Sequence, residues 1–349
     1  MSASQKIKVA VLGASGYTGA DLVRLAACHP QIEIVALAAK THAGQAMAEV
    51  FPHLGLVGAP DLVDAGEVDW SACDAVVCGL PHRAAHEIIA GLPDRLKVID
   101  MSADFRLRDP EVYATWYGEA HGAPYLLETA VYGLTEHYRE AIRSARLVAC
   151  PGCYPTAALL ALLPLVKAGV IDASDIIIDA KSGVSGAGRA LKQNVLFTEA
   201  GEGLSPYAVA AHRHAPEIEQ ELSKAAGKEL VVNFTPHLVP MSRGELLTCY
   251  VRLANGASVG ALREALAADY RDAAFVHLTP QGMVPATQHV RGSNYCLIGV
   301  FEDRVPGRAI VISTLDNLVK GSAGQALQNF NLMFDLPETT GLEQKPLFP

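Results

Sequence analysis

The sequence predicts an α/β protein: a parallel-sheet domain from about residue 1 to 150, then a second α+β domain whose sheet is mostly antiparallel. Three observations carry this. Half of the 349 residues are hydrophobic and 19% are charged, below the ~25% usual for soluble chains, so two sizeable cores can be buried. Up to about residue 150, short continuous apolar runs alternate with helical stretches, the pattern of a parallel sheet covered on both faces. Beyond about residue 170, apolar runs follow one another with few helices between them, the pattern of a largely antiparallel sheet.

The elements follow in order. "IKVAVLGASGYTGADLVRLAACH" reads as a strand, a Gly-rich turn and an amphipathic helix; "IEIVALAAK", "DAVVCGLPH", "KVIDMSAD" and "ARLVACPG" read as further buried strands. The second half offers "DIIIDAKSG", "ELVVNFTPHLVP", "GELLTCYVRL", "AAFVHLTP", "NYCLIGVFED" and "RAIVISTLDN" as strands, with helices near 215–226 and 258–271 and a last helix in "TLDNLVKGSAGQALQNFNLMF".

Several classes are excluded. The net charge is −9 and no Lys/Arg-rich run occurs, so no nucleic-acid partner is expected. No apolar run reaches ~18 residues without a Pro, Gly or charge, so no membrane partner is expected. "MSASQKIKVAVLGASG" enters a strand directly, without a signal-peptide pattern. Seven cysteines without framework spacing point to reduced thiols and a cytoplasmic location. No metal ligand set is expected.

The Gly-rich turn is Gly13-Ala14-Ser15-Gly16-Tyr17-Thr18-Gly19, a G-x-x-G-x-x-G between strand and helix. That context makes it a Rossmann-type dinucleotide cradle. Gly13 allows the tight turn, Gly16 the approach of the pyrophosphate, and Gly19 the close packing of helix on strand. The amides of the helix start then face the phosphates. The second strand ends Ala38-Ala39-Lys40 without the carboxylate that reads a ribose 2′-hydroxyl. Lys40 could face a 2′-phosphate instead, which favours NADP(H). The alternative is a solvated lysine.

Cys150-Pro-Gly-Cys153 fits C-x-x-C. A thioredoxin-like pair belongs near an early strand of a small domain, and a zinc site needs a second ligand pair that the remaining cysteines do not supply. Cys153 instead opens an apolar helix with Pro155 in its first turn. A thiol there meets the positive end of the helix dipole, which favours thiolate, and free amides able to hold an oxyanion. Cys153 is therefore the expected nucleophile, with Cys150 a buried bystander. Beside a nicotinamide, such a thiolate attacks an activated acyl group and the thioester is reduced to an aldehyde, or the reverse.

"AAHRHAPEIEQEL" places His212 and His214 just before a helix start marked by Pro216. The dipole favours neutral imidazole, the form a base needs. In an extended segment the two rings face opposite sides, so only one is expected at the site. Glu217 could orient its neighbours. "SADFRLRDP" sets Ser102, Asp104, Arg106 and Arg108 just past a strand end, suited to a phosphate or carboxylate. "KSGVSGAGR" at 181–189 is a second loop able to turn amides toward an anion.

Together these stretches resemble the N-acetyl-gamma-glutamyl-phosphate reductase family, type 1, of the semialdehyde dehydrogenase group. "VACPGCYPTAALLALLP" fits its active-site signature, and "FTPHLVPMSRG" and "DNLVKGSAGQALQNFN" extend the match from residue 7 to about 334. The resemblance implies a domain of residues 1–152 rejoined by a C-terminal helix at 316–349, and a catalytic and dimerisation domain at 153–315. It implies NADP(H), a small-molecule acyl phosphate substrate with phosphate as partner, and a homodimer or homotetramer. Matched by motif, Cys153 forms the thioester. His212 and His214 stay open as acid/base, His212 being preferred. Ser102, Arg106 and Arg243 are candidates to hold phosphate or carboxylate. Ser182, Gly183, Ser185 and Gly186 join the cofactor site, and Asn317 contacts the nicotinamide amide. The implied reaction is reductive dephosphorylation of N-acetyl-L-glutamyl 5-phosphate, in arginine biosynthesis. A carrier-bound aminoadipyl or glutamyl phosphate, or aspartyl phosphate, is the alternative substrate.

Overall fold

A computed structural model describes residues 6–348; the leader-free start read at Met1–Gln5 and the expected domain bounds at 1 and 349 lie outside the described residues. Contacts divide the chain into two units, Met1–Pro151 with Ser322–Glu343, and Gly152–Gly321 with Gln344–Pro349.

The first unit holds β1 (Ile7–Leu12), β2 (Ile32–Ala38), β3 (Leu62–Val63), β4 (Ala75–Cys78), β5 (Lys97–Asp100), β6 (Val131–Tyr132) and β7 (Leu147–Ala149). Their order is β3-β2-β1-β4-β5-β7-β6, and every neighbouring pair is parallel. All four residues of β4 are buried, as a strand covered on both faces requires. The strand order turns back between β1 and β4, where ligands of such sheets bind at the carboxyl ends. β3 and β6, two residues each, are too short to show a period in the sequence.

The last helix departs from the expected 316–349. β14 (below) ends at Leu315, a π-helical turn spans Val319–Ala323, and the α-helix covers only Gly324–Met333. All ten α-helical residues are buried, so each polar side chain must find a partner. Gln325 donates to the Gly133 carbonyl and the Thr135 hydroxyl. Asn329 donates to the same carbonyl and to the Cys150 sulfur, and accepts from Thr135. Asn331 donates to the Glu338 and Thr340 carbonyls.

The second unit holds β8 (Ile171–Gly183), β9 (Ser205–Pro206), β10 (Asn233–Val239), β11 (Glu245–Leu253), β12 (Val276–Leu278), β13 (Cys296–Glu302) and β14 (Arg308–Leu315), ordered β12-β13-β14-β11-β8-β10-β9. β8–β10 and β12–β13 are parallel; the other four pairings are antiparallel. The helix Cys153–Lys167 packs on β8, β11 and β14 and on the helices Ala215–Ala226 and Val259–Asp269. It is buried from Tyr154 to Val166, which explains why its sequence is apolar all round. Pro164 sits inside it and has no N–H to give the carbonyl four residues back. That carbonyl, of Leu160, accepts from the Tyr270 hydroxyl at 2.6 Å instead. Among the described residues, no helix is long and apolar enough to cross a membrane.

Candidate active site

Cys153 is the first residue of its helix, after Gly152 at the N-cap, and no side chain caps that end. The first-turn amides are therefore available beside the sulfur. The turn is braced by Glu217, whose carboxylate accepts from the Gly152 N–H at 2.9 Å. Glu217 is thus tied to the backbone before the nucleophile. Gly321 lies against Cys153: a Cβ there would stand 2.8 Å from the cysteine Cβ.

The histidines differ from expectation. The segment before Ala215 is turned, not extended, and His214 is the N-cap residue of its helix. The two rings meet, 4.7 Å apart, and each packs edge-on against Tyr154, at 5.7 and 5.8 Å. Both therefore reach the residue next to the nucleophile. His212 Nδ1 accepts from the His214 N–H at 3.1 Å, which leaves its proton on Nε2. Burial, with Arg213 adding, pushes His212 down to about 4, so it is a neutral base at ordinary pH. The Tyr207 hydroxyl donates to that of Tyr154 at 3.2 Å, and Tyr154 donates to the His237 carbonyl at 3.3 Å.

Cys150 is fully buried, and burial pushes its thiol up to about 12. That is an inert thiol, and none of the seven cysteines forms a disulfide.

The expected anion groups fare unevenly. Ser102 and Arg106 are both buried. The Ser102 hydroxyl donates to Asp100 at 2.8 Å and accepts from the Asp104 N–H. Arg106 donates to the carbonyls of Cys150 and Met101. Asp104 caps the Arg83 and Ala85 amides and accepts from Tyr113. The loop is thus held by its own hydrogen bonds, which fix Ser102 and Arg106 in place. Arg243 keeps 27% of its side chain exposed and pairs with the buried Asp316 at 3.3 Å.

The second Gly/Ser loop is also committed inward. β8 continues through Ser182 and Gly183, and the amides of Gly183, Val184 and Ser185 donate to the carbonyls of Gly244, Met241 and Ser242. Gly186 packs on the Ser182 hydroxyl. Asn317 accepts from the Gly244 N–H and donates to Ser185 Oγ, at 2.8 and 2.9 Å. Its side chain joins two loops.

In the first unit the residues fit a dinucleotide. Gly13 has φ +78°, and a Cβ there would sit 2.5 Å from the Gly79 carbonyl, which follows β4. A Cβ at Gly19 would sit 2.7 Å from Ala14 Cα. The Gly13 and Ala14 amides donate to the Ala38 carbonyl. The helix Tyr17–Ala26 begins at Gly16 with no side-chain cap, so the Tyr17 and Thr18 amides stand at its open end. Ser15 and Thr18 are half-buried on this rim. Lys40 is exposed in a 3₁₀ turn directly after β2.

Glu245, Tyr154, Tyr207, Asp316 and Gly321 were not singled out by sequence. One signal was available. Glu245 heads a strand whose buried face continues at Leu247, Cys249 and Val251, so the period of two places a carboxylate inside.

A half-buried thiol on an open helix start, a neutral imidazole nearby and a separate dinucleotide cradle define a class: nicotinamide-dependent oxidoreductases that work through a cysteine. Residues 8–145 match the family described as semialdehyde dehydrogenase, NAD binding domain, and residues 153–317 its dimerisation domain. The chain belongs to the semialdehyde dehydrogenase family, in its N-acetyl-gamma-glutamyl-phosphate reductase branch. A reductase of that name from Rhodospirillum rubrum is 57% identical, covering 99% of this chain and 100% of the relative. A probable chloroplastic one from Arabidopsis thaliana is 54% identical over 98% of this chain and 86% of the relative. Solved structures agree in fold: aspartate semialdehyde dehydrogenase II from Vibrio cholerae has a TM-score of 0.71 at 17% identity, covering 95% of this chain and 99% of that one. The Candida albicans aspartate semialdehyde dehydrogenase with NADP has a TM-score of 0.66 at 19% identity, with the same coverage.

Proposed function

We propose that the protein reduces N-acetyl-L-glutamyl 5-phosphate to N-acetyl-L-glutamate 5-semialdehyde and phosphate, with NADPH. The observation that carries the chemistry is Cys153 at an open helix start with the neutral His212 ring on its neighbour Tyr154. The sulfur of Cys153 attacks the acyl carbon, the carbon–oxygen bond to phosphate breaks, and a thioester remains on Cys153. The helix-start amides stabilise the oxyanion on the way. NADPH, held by the turn Gly13 to Gly19, would supply the hydride that reduces the thioester. His212, unprotonated at rest, then exchanges a proton at the carbonyl oxygen as the aldehyde forms and the thiolate leaves. Arg243 supports an anion site, because its guanidinium remains partly exposed. Gly13 to Gly19 hold the pyrophosphate, and Lys40, with no carboxylate at the end of β2, supports NADP over NAD. The relatives' shared name supports the substrate. The free cysteines support a reducing compartment, the cytoplasm, and the description of the second domain supports a homodimer or homotetramer.

The test runs the stable direction: phosphate-dependent reduction of NADP by N-acetylglutamate 5-semialdehyde, wild type beside Cys153→Ser. Turnover by wild type and none by the serine variant is expected. Wild-type turnover of aspartate semialdehyde in place of the acetylated compound would overturn the substrate.

A further inference from the structure

The sheet of the first unit turns back between β1 and β4, so the loops that follow these two strands flank the crevice where a dinucleotide lies. One is the Gly-rich turn. The other starts at Gly79 and is built against the first. The Gly79 N–H donates to the Leu12 carbonyl at 2.8 Å. A Cβ at Gly79 would stand 3.3 Å from Thr18 Oγ1, and the Gly79 carbonyl is what bars a side chain at Gly13. The chain then makes a tight turn, closed by the Ala84 N–H on the Pro81 carbonyl at 3.2 Å. The third residue of that turn is Arg83, with φ +73°. A turn that needs positive φ at this place takes glycine or asparagine by preference, so an arginine there is strained.

The strain is held by anchors on the backbone and the side chain. The Arg83 N–H donates to Asp104 Oδ1 at 2.8 Å. The guanidinium donates to the Tyr117 carbonyl, at the end of the helix Pro110–Tyr117, where a cation meets the negative end of the helix dipole. It also pairs with Glu119 at 3.1 Å. Asp104 ties the same corner again, through the Ala85 N–H at 3.0 Å and the Tyr113 hydroxyl at 2.9 Å.

We propose that Arg83 is a positioning residue for the cofactor. It latches the turn 81–84 to the segment 117–119 and so sets the wall of the cradle opposite the Gly-rich turn. The guanidinium is committed to Tyr117 and Glu119, so it acts through the backbone back to Gly79 rather than by its own charge. A wall already in place need not be ordered when the dinucleotide binds, and affinity gains by that saving. This rests on the dinucleotide reading of the cradle and on no particular acyl substrate.

The experiment is fluorescence titration of the full chain with NADPH, substrate absent, with thermal melting of each variant beside it. Arg83→Ala removes the latch and keeps the strain. It should bind NADPH about tenfold more weakly, as expected for a lost charged hydrogen bond, and melt lower than wild type. Arg83→Gly removes the latch and relieves the strain. It should melt above Arg83→Ala and yet bind NADPH no better. Glu119→Gln keeps the shape and drops the ion pair, so binding should weaken about twofold. Equal affinity in wild type and Arg83→Ala would overturn the proposal. Affinity that recovers with the melting temperature in Arg83→Gly would reduce Arg83 to a stabilising role and overturn it too. Tighter binding by Glu119→Gln would do the same, as the mark of a guanidinium freed to meet the cofactor phosphates directly. Absence of NADPH binding by wild type would sink the dinucleotide reading and this proposal with it, whereas wild-type binding with unaltered variants sinks the proposal alone.

Discussion

Gly321 shows how closely the nucleophile is set. An added methyl would meet Cys153 Cβ at 2.8 Å and Leu315 Cδ1 at 3.2 Å, so Gly321→Ala must displace the cysteine. Such misplacement costs about 10²-fold in kcat; steady-state kinetics should find that loss with NADPH affinity, read by fluorescence titration, unchanged. Lys40→Ala should raise the KM for NADP about fivefold, the worth of one exposed charge contact, and leave that for NAD alone. With His212 set near 4, the acid limb of kcat/KM should fall near pH 4 rather than at the 6.5 of a free imidazole. That Cys153 opens a helix and that the Gly-rich turn leads into one were legible in the sequence, because the apolar pattern shows where a helix starts. The internal partners of Ser102, Arg106 and Asn317 were not. A residue type reveals what a group can bind but not whether a neighbour has already claimed it, and here Asp100, two carbonyls and the Gly244 amide have done so.

At the scale of elements, the substitute hydrogen bond at Leu160 gives a paired test. Tyr270→Phe strands a buried carbonyl and should cost about 1–3 kcal/mol in chemical denaturation. In a Pro164→Ala background, where residue 164 regains its N–H, the same change should cost less. The helix Ala215–Ala226 was read with its true limits, because Pro216 and an amphipathic period mark it. The histidine pair before it was misread, since two-residue spacing separates rings only in a strand. The last helix was overextended. Its apolar and amide residues are buried alike, so no exposed face marked where it ends.

Across the whole molecule, misplaced protons set the pH range. Glu245 and Asp100, raised by burial to about 8 and about 6 from 4.5 and 3.8, ionise first in the unfolded chain. The unfolded state therefore holds fewer protons between those limits, and stability falls as pH rises through them. His212 acts oppositely: lowered from 6.5 to about 4, it removes stability as pH falls between those values. Thermal melting should show wild type losing stability from mild acid toward pH 8, and Glu245→Gln losing less. Both sheets were legible as classes, because parallel and antiparallel connections leave different spacings between apolar runs; their two-residue strands were not.

The parallel-sheet unit is closed by a segment, Ser322–Glu343, that follows about 170 residues assigned to the other unit. On the ribosome, its first 151 residues therefore emerge with the place of the helix Gly324–Met333 empty. At roughly 5–20 residues per second, that gap lasts on the order of ten seconds or more. The Gly133 carbonyl and Thr135 hydroxyl, later matched by Gln325 and Asn329, have no such partner in that interval. A premature stop before Ser322 would leave that carbonyl and hydroxyl without the partners that Gln325 and Asn329 supply.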